Sequence, residues 1–427
     1  MHLHIVTAGQ TLYSVARQYG VHPGLIARQN GLREPYRLAV GQCLLILQPR
    51  AVYTVRAGDT LYAIAQRFGT DVKTLWRNNP NLSGGTTLYP GQTLVLSQES
   101  MRTQSAAVLG YAYPSAQETA LRGILPYASA LCPFTYGITE DGGLIAPADG
   151  HLTALALEYG VQPMLHLSTL AEGGGFSALH AQAVLESDAL RARLIAETVA
   201  QMRRGGYGGV DVDFEFLGAE LADAFAGFLG ELRAAVHAAG GIVVCALAPK
   251  TSAEQRGVLY EGHDYRRIGE NADAVLLMTY EWGYNAGPPM AVAPLDKVRQ
   301  VVDYALGEIE AKKLFLGVPV YGYDWPLPYR QGATRGVSVA PREALDLARR
   351  QGAEIQFDET AQAPWFRYTA ADGREHEVWF EDARSSYAKF RLAAEKGLQG
   401  VGLWNLMRPA VQTYLVLHGG FEIEVMR

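Results

Sequence analysis

The sequence of 427 residues is poor in the side chains that form disulfide frameworks and metal sites. Its three cysteines, Cys43, Cys132 and Cys245, lie far apart and form no Cys-x-x-Cys pair, so we interpret them as small buried apolar residues. The ten histidines form no His-Glu-x-x-His cluster. The sequence therefore predicts no metal site and no cofactor.

Excess positive charge and long apolar runs are also missing. The formal net charge of −6 provides no basic field for nucleic acid or for an anionic membrane surface. No apolar run approaches the ~20 residues of a membrane span. The first residues, MHLHIVTAGQ, do not place a basic segment before an apolar run, so we expect no signal peptide and synthesis in the cytoplasm.

The first hundred residues contain an internal repeat. The stretch VTAGQTLYSVARQYG (6–20) recurs as VRAGDTLYAIAQRFG (55–69), and GQCLLIL at Gly41 recurs as GQTLVLS at Gly91. Two tandem units of about 45 residues are therefore predicted, over residues 1–48 and 51–97.

Each unit has the pattern of a strand, two helices and a closing strand. In the second unit, Asp59 or Thr60 is the expected helix cap and Gly69 the expected helix end. The apolar face of this helix is predicted to consist of Leu61, Ile64, Ala65 and Phe68.

The blocks AGDTLYAIAQRFG and YPGQTLVL make the two units resemble LysM modules. The resemblance implies binding to the N-acetylglucosamine-containing backbone of peptidoglycan or chitin, and two weak sites on one chain would bind a polymer with avidity. A role as a spacer or coat-assembly module stays open. Residues 98–106 are polar and without apolar periodicity, which predicts a short linker.

Residues 107–427 alternate apolar strands with amphipathic helices. Eight such units predict a (β/α)8 barrel, and an open doubly wound sheet is the competing fold, although no nucleotide-binding glycine motif supports it. Residues 323–399, between the last two strands, contain IQFDE, PWFRYTAADG and HEVWFED, which predict a small β insertion beside a substrate groove. The candidate strands are 108–113, 130–136, 162–168, 208–216, 241–249, 274–282, 313–322 and 400–406.

The fourth strand, GGVDVDFEF (208–216), places three acids on one face. In a barrel Asp211, Asp213 and Glu215 would point inward ~6–7 Å apart, with Glu215 at the C-terminal rim where barrel enzymes work. Carboxylates this close cannot all ionise cheaply, so one must keep a proton. A protonated acid near neutral pH is suited to cleaving a glycosidic bond. A structural ladder of acids, satisfied by buried hydroxyls and arginines, is the alternative.

These residues make the barrel resemble the family-18 glycoside hydrolases, which carry Asp-x-x-Asp-x-Asp-x-Glu on strand four. The last three acids match, and Gly208 stands where the family has its first aspartate. The sixth strand ends in Met278-Thr-Tyr280-Glu281, against the family's Met-x-Tyr-Asp, and the eighth ends in Gly402-Leu-Trp404, where the family keeps its tryptophan.

The resemblance implies a retaining mechanism in which the substrate's own N-acetyl group is the nucleophile. Glu215 would protonate the leaving oxygen and later act as base toward water. Asp213 would hold the N-acetyl N–H and stabilise the positive intermediate, and the Tyr280 hydroxyl would align the same group.

Three further roles follow from the resemblance. Trp404 would form the apolar floor under the reacting sugar, and Asp211 would tune Asp213 from one layer deeper. Glu281 would bind substrate with a different reach from the family's aspartate. Gly208 removes the deepest acid, which puts a full carboxylate relay in doubt.

Two histidines and four tryptophans also have a packing interpretation. We interpret His166 as a packed or hydrogen-bonded barrel residue and His376 as a surface residue of the insertion. Four tryptophans could either stack on sugars or pack in the core: Trp282, Trp325, Trp365 and Trp379.

The pairing of LysM modules with this barrel resembles the spore cortex-lytic enzymes of endospore-forming bacteria. The resemblance implies an N-acetylglucosaminidase acting on cortex peptidoglycan and a location in the spore coat or cortex or in the cell wall. A chitinase and a non-catalytic glycan-binding coat protein are the alternatives, and the retained Asp213 and Glu215 argue against the second.

Overall fold

The computed structural model describes residues 1–99, 102, 104–171 and 174–426. Of the predicted linker, three residues (100, 101 and 103) lie outside the described part. Gln98 ends the last strand of the second repeat, and Gln104 already begins the first strand of the barrel.

The first repeat forms the predicted β-α-α-β unit. It comprises β1 (His2–Ile5), α1 (Leu12–Tyr19), α2 (Pro23–Gln29) and β2 (Cys43–Ile46), with β1 antiparallel to β2. Thr11 caps α1 by accepting a hydrogen bond from the Ser14 N–H, and Gly20 ends the helix at φ +65°. Leu12, Ile26 and Leu44 fill its core.

The second repeat has the same order. It comprises β3 (Pro49–Thr54), α3 (Leu61–Arg67), α4 (Val72–Asn78) and β4 (Thr93–Gln98). Thr60 is the cap of α3, whereas Asp59 accepts hydrogen bonds from the Tyr53 hydroxyl and the Arg56 N–H. The prediction that Phe68 lies on the buried face is wrong: α3 ends at Arg67, and Phe68 is 42% exposed.

The predicted barrel is confirmed, and its first half leads to the acidic strand. This half comprises β5 (Gln104–Ala112), α5 (Glu118–Ile124), β6 (Ala130–Pro133), β7 (Gly137–Ile138), β8 (Leu144–Ile145), α6 (Gly150–Glu158), β9 (Gln162–Pro163), β10 (Leu165–Ser168), α7 (Ala178–Glu186), α8 (Asp188–Gly205) and β11 (Gly209–Asp213).

The second half carries the predicted β insertion between β14 and β20. It comprises α9 (Ala222–His237), β12 (Ile242–Leu247), α10 (Tyr265–Asn271), β13 (Ala274–Leu277), α11 (Leu295–Glu308), β14 (Leu314–Pro319), β15 (Gly322–Pro326), β16 (Val337–Val339), α12 (Pro341–Gln351), β17 (Gln356–Asp358), β18 (Ala363–Thr369), β19 (Glu375–Trp379), α13 (Ala383–Glu395), β20 (Gly400–Trp404), α14 (Val411–Gly420) and β21 (Phe421–Ile423).

Eight parallel strands close the barrel, in the order β5, β6, β9/β10, β11, β12, β13, β14 and β20, with β20 back against β5. The segments β9 and β10 are two pieces of one strand, since β9 pairs with β6 and β10 with β11. Side chains such as Leu109, Met164 and Phe315 fill the interior, so the open end above the C-terminal strand ends is left for a site. The insertion is a five-stranded antiparallel sheet, β16-β15-β19-β18-β17, with α12 against it.

The first repeat packs directly on the barrel domain. The Gln412 amide donates to Asn30 Oδ1 (2.7 Å) and to the Cys43 carbonyl (2.9 Å). The loop before β2 meets the insertion, where the Ile355 N–H donates to the Val40 carbonyl. Gly41 is so close to Ile355 that a Cβ atom would lie 1.8 Å from the Ile355 oxygen.

The second repeat packs on the barrel as well. Arg77 Nε donates to the Pro126 carbonyl (2.6 Å), and the Tyr159 hydroxyl donates to the Gly84 carbonyl (2.7 Å). The rings of Trp76 and Tyr159 lie 5.1 Å apart. Both repeats are thus joined to the barrel by buried polar and apolar contacts. Across the described ranges, no helix is long and apolar enough to cross a membrane.

Candidate active site

The acidic strand β11 places its first two acids inside the barrel. Asp211 and Asp213 are 0% and 5% exposed, and both point inward as predicted. Glu215 differs from the prediction because β11 ends at Asp213 and the chain leaves the sheet. Phe216 takes a left-handed φ of +60°, so the extended backbone of the strand does not continue through it. Glu215 is therefore a half-buried loop residue at the rim and not the third rung of a strand.

His166 on β10 stands beside the two buried aspartates. Its Nε2 lies 3.7 Å from Asp213 Oδ2 and 4.0 Å from Asp211 Oδ2, beyond hydrogen-bonding distance. Burial lowers the pKa of His166 to about 3, so the ring is neutral and brings no positive charge. Nδ1 lies 2.6 Å from the Thr135 hydroxyl. The interpretation of His166 as a hydrogen-bonded barrel residue is confirmed.

Burial raises the pKa of all three acids. It raises the pKa of Asp211 to about 6, with the Tyr111 hydroxyl and the Cys132 thiol opposing the rise. The pKa of Asp213 lies well above its ordinary value because the residue is buried and because Glu215 and Asp211 are negative neighbours. Burial raises the pKa of Glu215 to about 7. The group therefore holds at least one proton at neutral pH.

The acids do not form a satisfied ladder. Oδ1 of Asp213 is buried and has no hydrogen-bond partner in the described part of the chain, whereas Asp211 has the Tyr111 hydroxyl and the Cys132 thiol as neighbours that lower its pKa. Unpartnered buried carboxylate oxygens are costly, and a purely structural role offers nothing to offset that cost. The arrangement favours a ligand site in which a hydrogen-bond donor of the ligand pairs with the buried carboxylate.

Two aromatic rings frame the acids. The rings of Tyr280 and Trp404 are nearly parallel, 13° apart with centroids separated by 6.4 Å. Tyr280 follows β13, and Trp404 is the last residue of β20, so both lie at the C-terminal end of the barrel. Glu281 is exposed at the rim, has a φ of +65°, and accepts hydrogen bonds from the Tyr321 and Tyr323 hydroxyls.

A cavity of about 340 Å³ opens above Asp213 and Glu215. Its volume is typical of small-ligand sites, which combine apolar walls with a few polar groups. Its walls are largely aromatic and, besides Tyr280, include Tyr113, Phe134, Phe176, Tyr260, Trp282 and Trp404. The predicted residues Asp213, Glu215, Tyr280, Glu281 and Trp404 all line this cavity, and Asp211 lies below it.

Sequence reasoning missed four of the aromatic wall residues. Tyr113 and Phe134 follow the first two barrel strands, so the rule that sites collect at C-terminal strand ends could have found them. Phe176 and Tyr260 lie further along the loops that follow β10 and β12. Only the folded chain brings them to the cavity.

Gly208 leaves no empty space where the family has an aspartate. A Cβ atom at this position would lie 2.3 Å from Cδ of Gln162, whose side chain occupies the space. The layer below Asp211 is thus filled by a neutral amide, and the acidic group consists of Asp211, Asp213 and Glu215.

The remaining candidates divide between packing and the cavity. Trp282 lines the cavity, whereas Trp325 is fully buried in the insertion. Trp365 and Trp379 stack on each other, with centroids 5.6 Å apart. His376, predicted on the insertion surface, is half-buried with Nδ1 2.8 Å from Asp324 Oδ1. Within the described ranges, no three His, Cys, Asp or Glu side chains are grouped to hold a metal ion.

The family models agree with this geometry. The model of glycosyl hydrolases family 18 matches residues 157–408, and the LysM domain model matches residues 4–46 and 53–97. The chain belongs to family 18 of the glycosyl hydrolases and is a glycoside hydrolase preceded by two LysM modules.

Two curated relatives match most of the chain or nearly all of it. It is 43% identical over 306 residues to the cortical fragment-lytic enzyme of Bacillus subtilis, covering 72% of this chain and 71% of that enzyme. It is 33% identical to the cortical fragment-lytic enzyme of Bacillus anthracis, covering 98% of both chains.

Solved structures give the same result. The spore cortex-lytic enzyme SleL of Bacillus megaterium superimposes with a TM-score of 0.84 at 35% identity, covering 100% of this chain and 99% of that one. A chitinase from Chromobacterium violaceum matches with a TM-score of 0.68 at 28% identity, covering 74% of this chain and 99% of that one.

Proposed function

We propose that this protein is an N-acetylglucosaminidase that cleaves the glycan strands of spore cortex peptidoglycan. The observation that carries the proposal is Glu215, an acid with a pKa raised to about 7, at the rim of an aromatic cavity above the buried Asp213. The full-length similarity to enzymes named for cortex lysis supports the substrate. The similarity to a chitinase supports the alternative that chitin is cleaved.

The proposed chemistry is retaining and substrate-assisted. Glu215 donates its proton to the glycosidic oxygen while the C–O bond to the sugar's anomeric carbon breaks. The carbonyl oxygen of the neighbouring N-acetyl group attacks that carbon and forms an oxazolinium ion. Glu215, now a carboxylate, then removes a proton from water. The water oxygen attacks the anomeric carbon and opens the oxazolinium ion, so the anomeric configuration is retained overall.

The other cavity residues position and stabilise the reacting sugar. Oδ1 of Asp213, which has no partner in the described chain, accepts a hydrogen bond from the N-acetyl N–H. The negative charge of Asp213 stabilises the oxazolinium ion. The Tyr280 hydroxyl holds the N-acetyl oxygen, and Trp404 stacks under the ring. Asp211 lies below Asp213 and shifts its pKa through charge. Glu281 binds a sugar hydroxyl at the rim.

The LysM modules, over residues 1–48 and 51–97, are proposed to anchor the enzyme to its polymer, ahead of a catalytic domain whose first strand begins at Gln104. The exposed tyrosines of the modules, among them Tyr13, Tyr62 and Tyr89, offer rings for sugar stacking. We place the protein in the spore cortex and coat or in the cell wall, with peptidoglycan as its partner and with no role for nucleic acid, membrane, metal or cofactor.

The rate is expected to fall as pH rises above about 7, because Glu215 must be protonated to act as the acid and its pKa lies at about 7. The value of kcat/KM, which reports the free enzyme, should drop tenfold per pH unit beyond that point. A pH–rate profile on a neutral oligosaccharide measures this limb. A Glu281→Gln variant should keep the same midpoint, and activity that stays constant well into the alkaline range would contradict the assignment.

Replacing Tyr280 by Phe is expected to lower kcat by roughly 10²-fold, the cost of removing one hydrogen bond that strengthens in the transition state. KM should change little because the ring still packs beside Trp404. Steady-state kinetics with Tyr284→Phe, an exposed tyrosine outside the cavity lining, provides the control. A variant with kcat within a factor of two of the parent would remove Tyr280 from the proposed mechanism.

Mass spectrometry of digestion products tests the function as a whole. Purified cortex fragments and chitin oligomers are digested in parallel, with Glu215→Gln as the inactive control. New N-acetylglucosamine reducing ends from cortex support the proposal. Cleavage of chitin oligomers alone makes the protein a chitinase. Binding without cleavage of either makes it a non-catalytic glycan-binding protein.

A further inference from the structure

A second cavity of about 340 Å³ continues the catalytic one toward the insertion. Tyr113, Glu281 and Trp404 line both cavities, so the two form one groove that passes the edge of the Trp404 ring. The second cavity ends at Ser338 of the insertion and Arg408 of the loop after β20. It has room for the sugar that follows the one lying on Trp404.

The charges along this groove are uneven. Asp213, Glu215 and Glu281 make the catalytic part acidic. Arg408 is the one cationic side chain among the described residues that line the two cavities. A neutral N-acetylglucosamine polymer gains nothing specific from a cation there. A sugar that carries a carboxylate would be repelled by these acids, so its binding requires a cation.

Two protein contacts fix the position of Arg408 and leave most of its N–H donors available. Its Nη1 lies 3.0 Å from Glu343 Oε2 and 3.2 Å from the Ser338 carbonyl, and its side chain is 39% exposed. Both contacts in the described chain use the same nitrogen, whereas a guanidinium has five N–H donors in a planar fork. The other donors can take a carboxylate in bidentate fashion.

We propose that Arg408 recognises a carboxylate on the sugar next to the one lying on Trp404, and so selects peptidoglycan over neutral chitin. In peptidoglycan that sugar is muramic acid, and the carboxylate belongs to its lactyl group or to the peptide attached there. This proposal rests on the proposed function and adds the residue that sets its substrate class. Glu343 competes with the ligand for the same guanidinium.

Kinetics on matched substrates tests the proposal. Arg408→Ala and Arg408→Lys are compared with the parent and with Arg335→Ala, an arginine of the insertion outside the groove lining. The substrates are cortex fragments, the same fragments with their carboxylates converted to neutral amides, and N-acetylglucosamine oligomers. Fragments with and without their peptides separate the lactyl carboxylate from the peptide one.

For Arg408→Ala we expect kcat/KM on the acidic fragments to fall about tenfold, mostly through KM, as for a lost hydrogen bond to a charged group. Activity on the two neutral substrates should not change, and Arg408→Lys should recover part of the loss. Glu343→Gln should lower KM on the acidic fragments, since it removes the negative charge that competes for the guanidinium while its amide oxygen still caps α12.

Equal losses on acidic and neutral substrates would show a merely structural role, and no loss on either would also overturn the proposal. Both results leave the proposed function intact, provided that the parent enzyme cleaves cortex fragments and Glu215→Gln does not. A parent enzyme that cleaves only chitin oligomers would instead overturn the proposed function.

Discussion

Replacing Glu215 by Gln is expected to lower kcat on cortex fragments by about 10²–10⁴-fold, the usual contribution of a positioned general acid. The amide keeps the size and hydrogen-bonding shape of the protonated acid but cannot give up a proton to the leaving oxygen. KM should stay within a few-fold of the parent value, because the aromatic walls of the cavity are unchanged. Single-turnover kinetics separates the chemical step from binding.

Glu281→Gln is the matched control, since it neutralises a second glutamate in the same cavity. Glu281 is exposed and already bonded to two tyrosine hydroxyls, so its loss should affect KM far more than kcat. If Glu215→Gln cleaved at the parent rate, the proton donor would have to be another group, and Asp213 would be the next to test.

Replacing Lys389 by Met is expected to lower the free energy of unfolding by about 3–5 kcal/mol. Lys389 Nζ lies 2.9 and 3.0 Å from the two oxygens of Glu381, and the two side chains are 0% and 1% exposed. Removing the ammonium leaves a buried carboxylate without its counter-charge. Urea unfolding followed by fluorescence measures the change.

The loss should depend on pH. Burial already raises the pKa of Glu381, with Lys389 opposing the rise, so the variant raises it further. A carboxyl with a raised folded-state pKa binds a proton more readily when folded, and stability falls as pH rises from the unfolded pKa to the folded one. The destabilisation should therefore be smaller in mildly acidic than in alkaline buffer.

Two further variants sharpen this result. The double variant Lys389→Met, Glu381→Leu removes both charges and should recover most of the lost stability. Lys396→Met breaks an exposed pair with Asp303, at the end of the same helix, and should cost no more than about 1 kcal/mol. A Lys389→Met variant as stable as Lys396→Met would show that the buried pair contributes little.

The sequence predicted the layers of this fold well because they follow from local patterns. Apolar strands separated by amphipathic helices predict a parallel barrel whichever loops connect them. The repeat predicts two equal small units. Period-two alternation placed Asp211 and Asp213 inward, and the structure agrees for both.

The period-two alternation did not predict the position of side chains that lie beyond the strand ends. Glu215 was predicted on the inner face of a strand, yet it lies beyond the end of β11, and Tyr280 likewise lies beyond the end of β13. The left-handed residues Phe216 and Glu281, which turn the chain there, are not residue types that favour positive φ. Their conformation is imposed by the surroundings, so a pattern of neighbours along the chain could not reveal it. Phe176 reaches the cavity from the loop after β10, where no alternating pattern predicts its position.

The packing of both modules on the barrel sets the geometry of any glycan capture. A binding module on a flexible linker takes many positions, and its effective concentration at the cleft falls as the linker lengthens. Here Gly41 fits against Ile355, and Gln412 bridges to Asn30, so the modules are held at one offset from the cleft. The length and curvature of the glycan strand, and not the reach of the protein, then decide whether modules and cleft can engage one strand together. Under the proposed anchoring, long strands gain from this arrangement, and fragments shorter than the offset meet the cleft unaided.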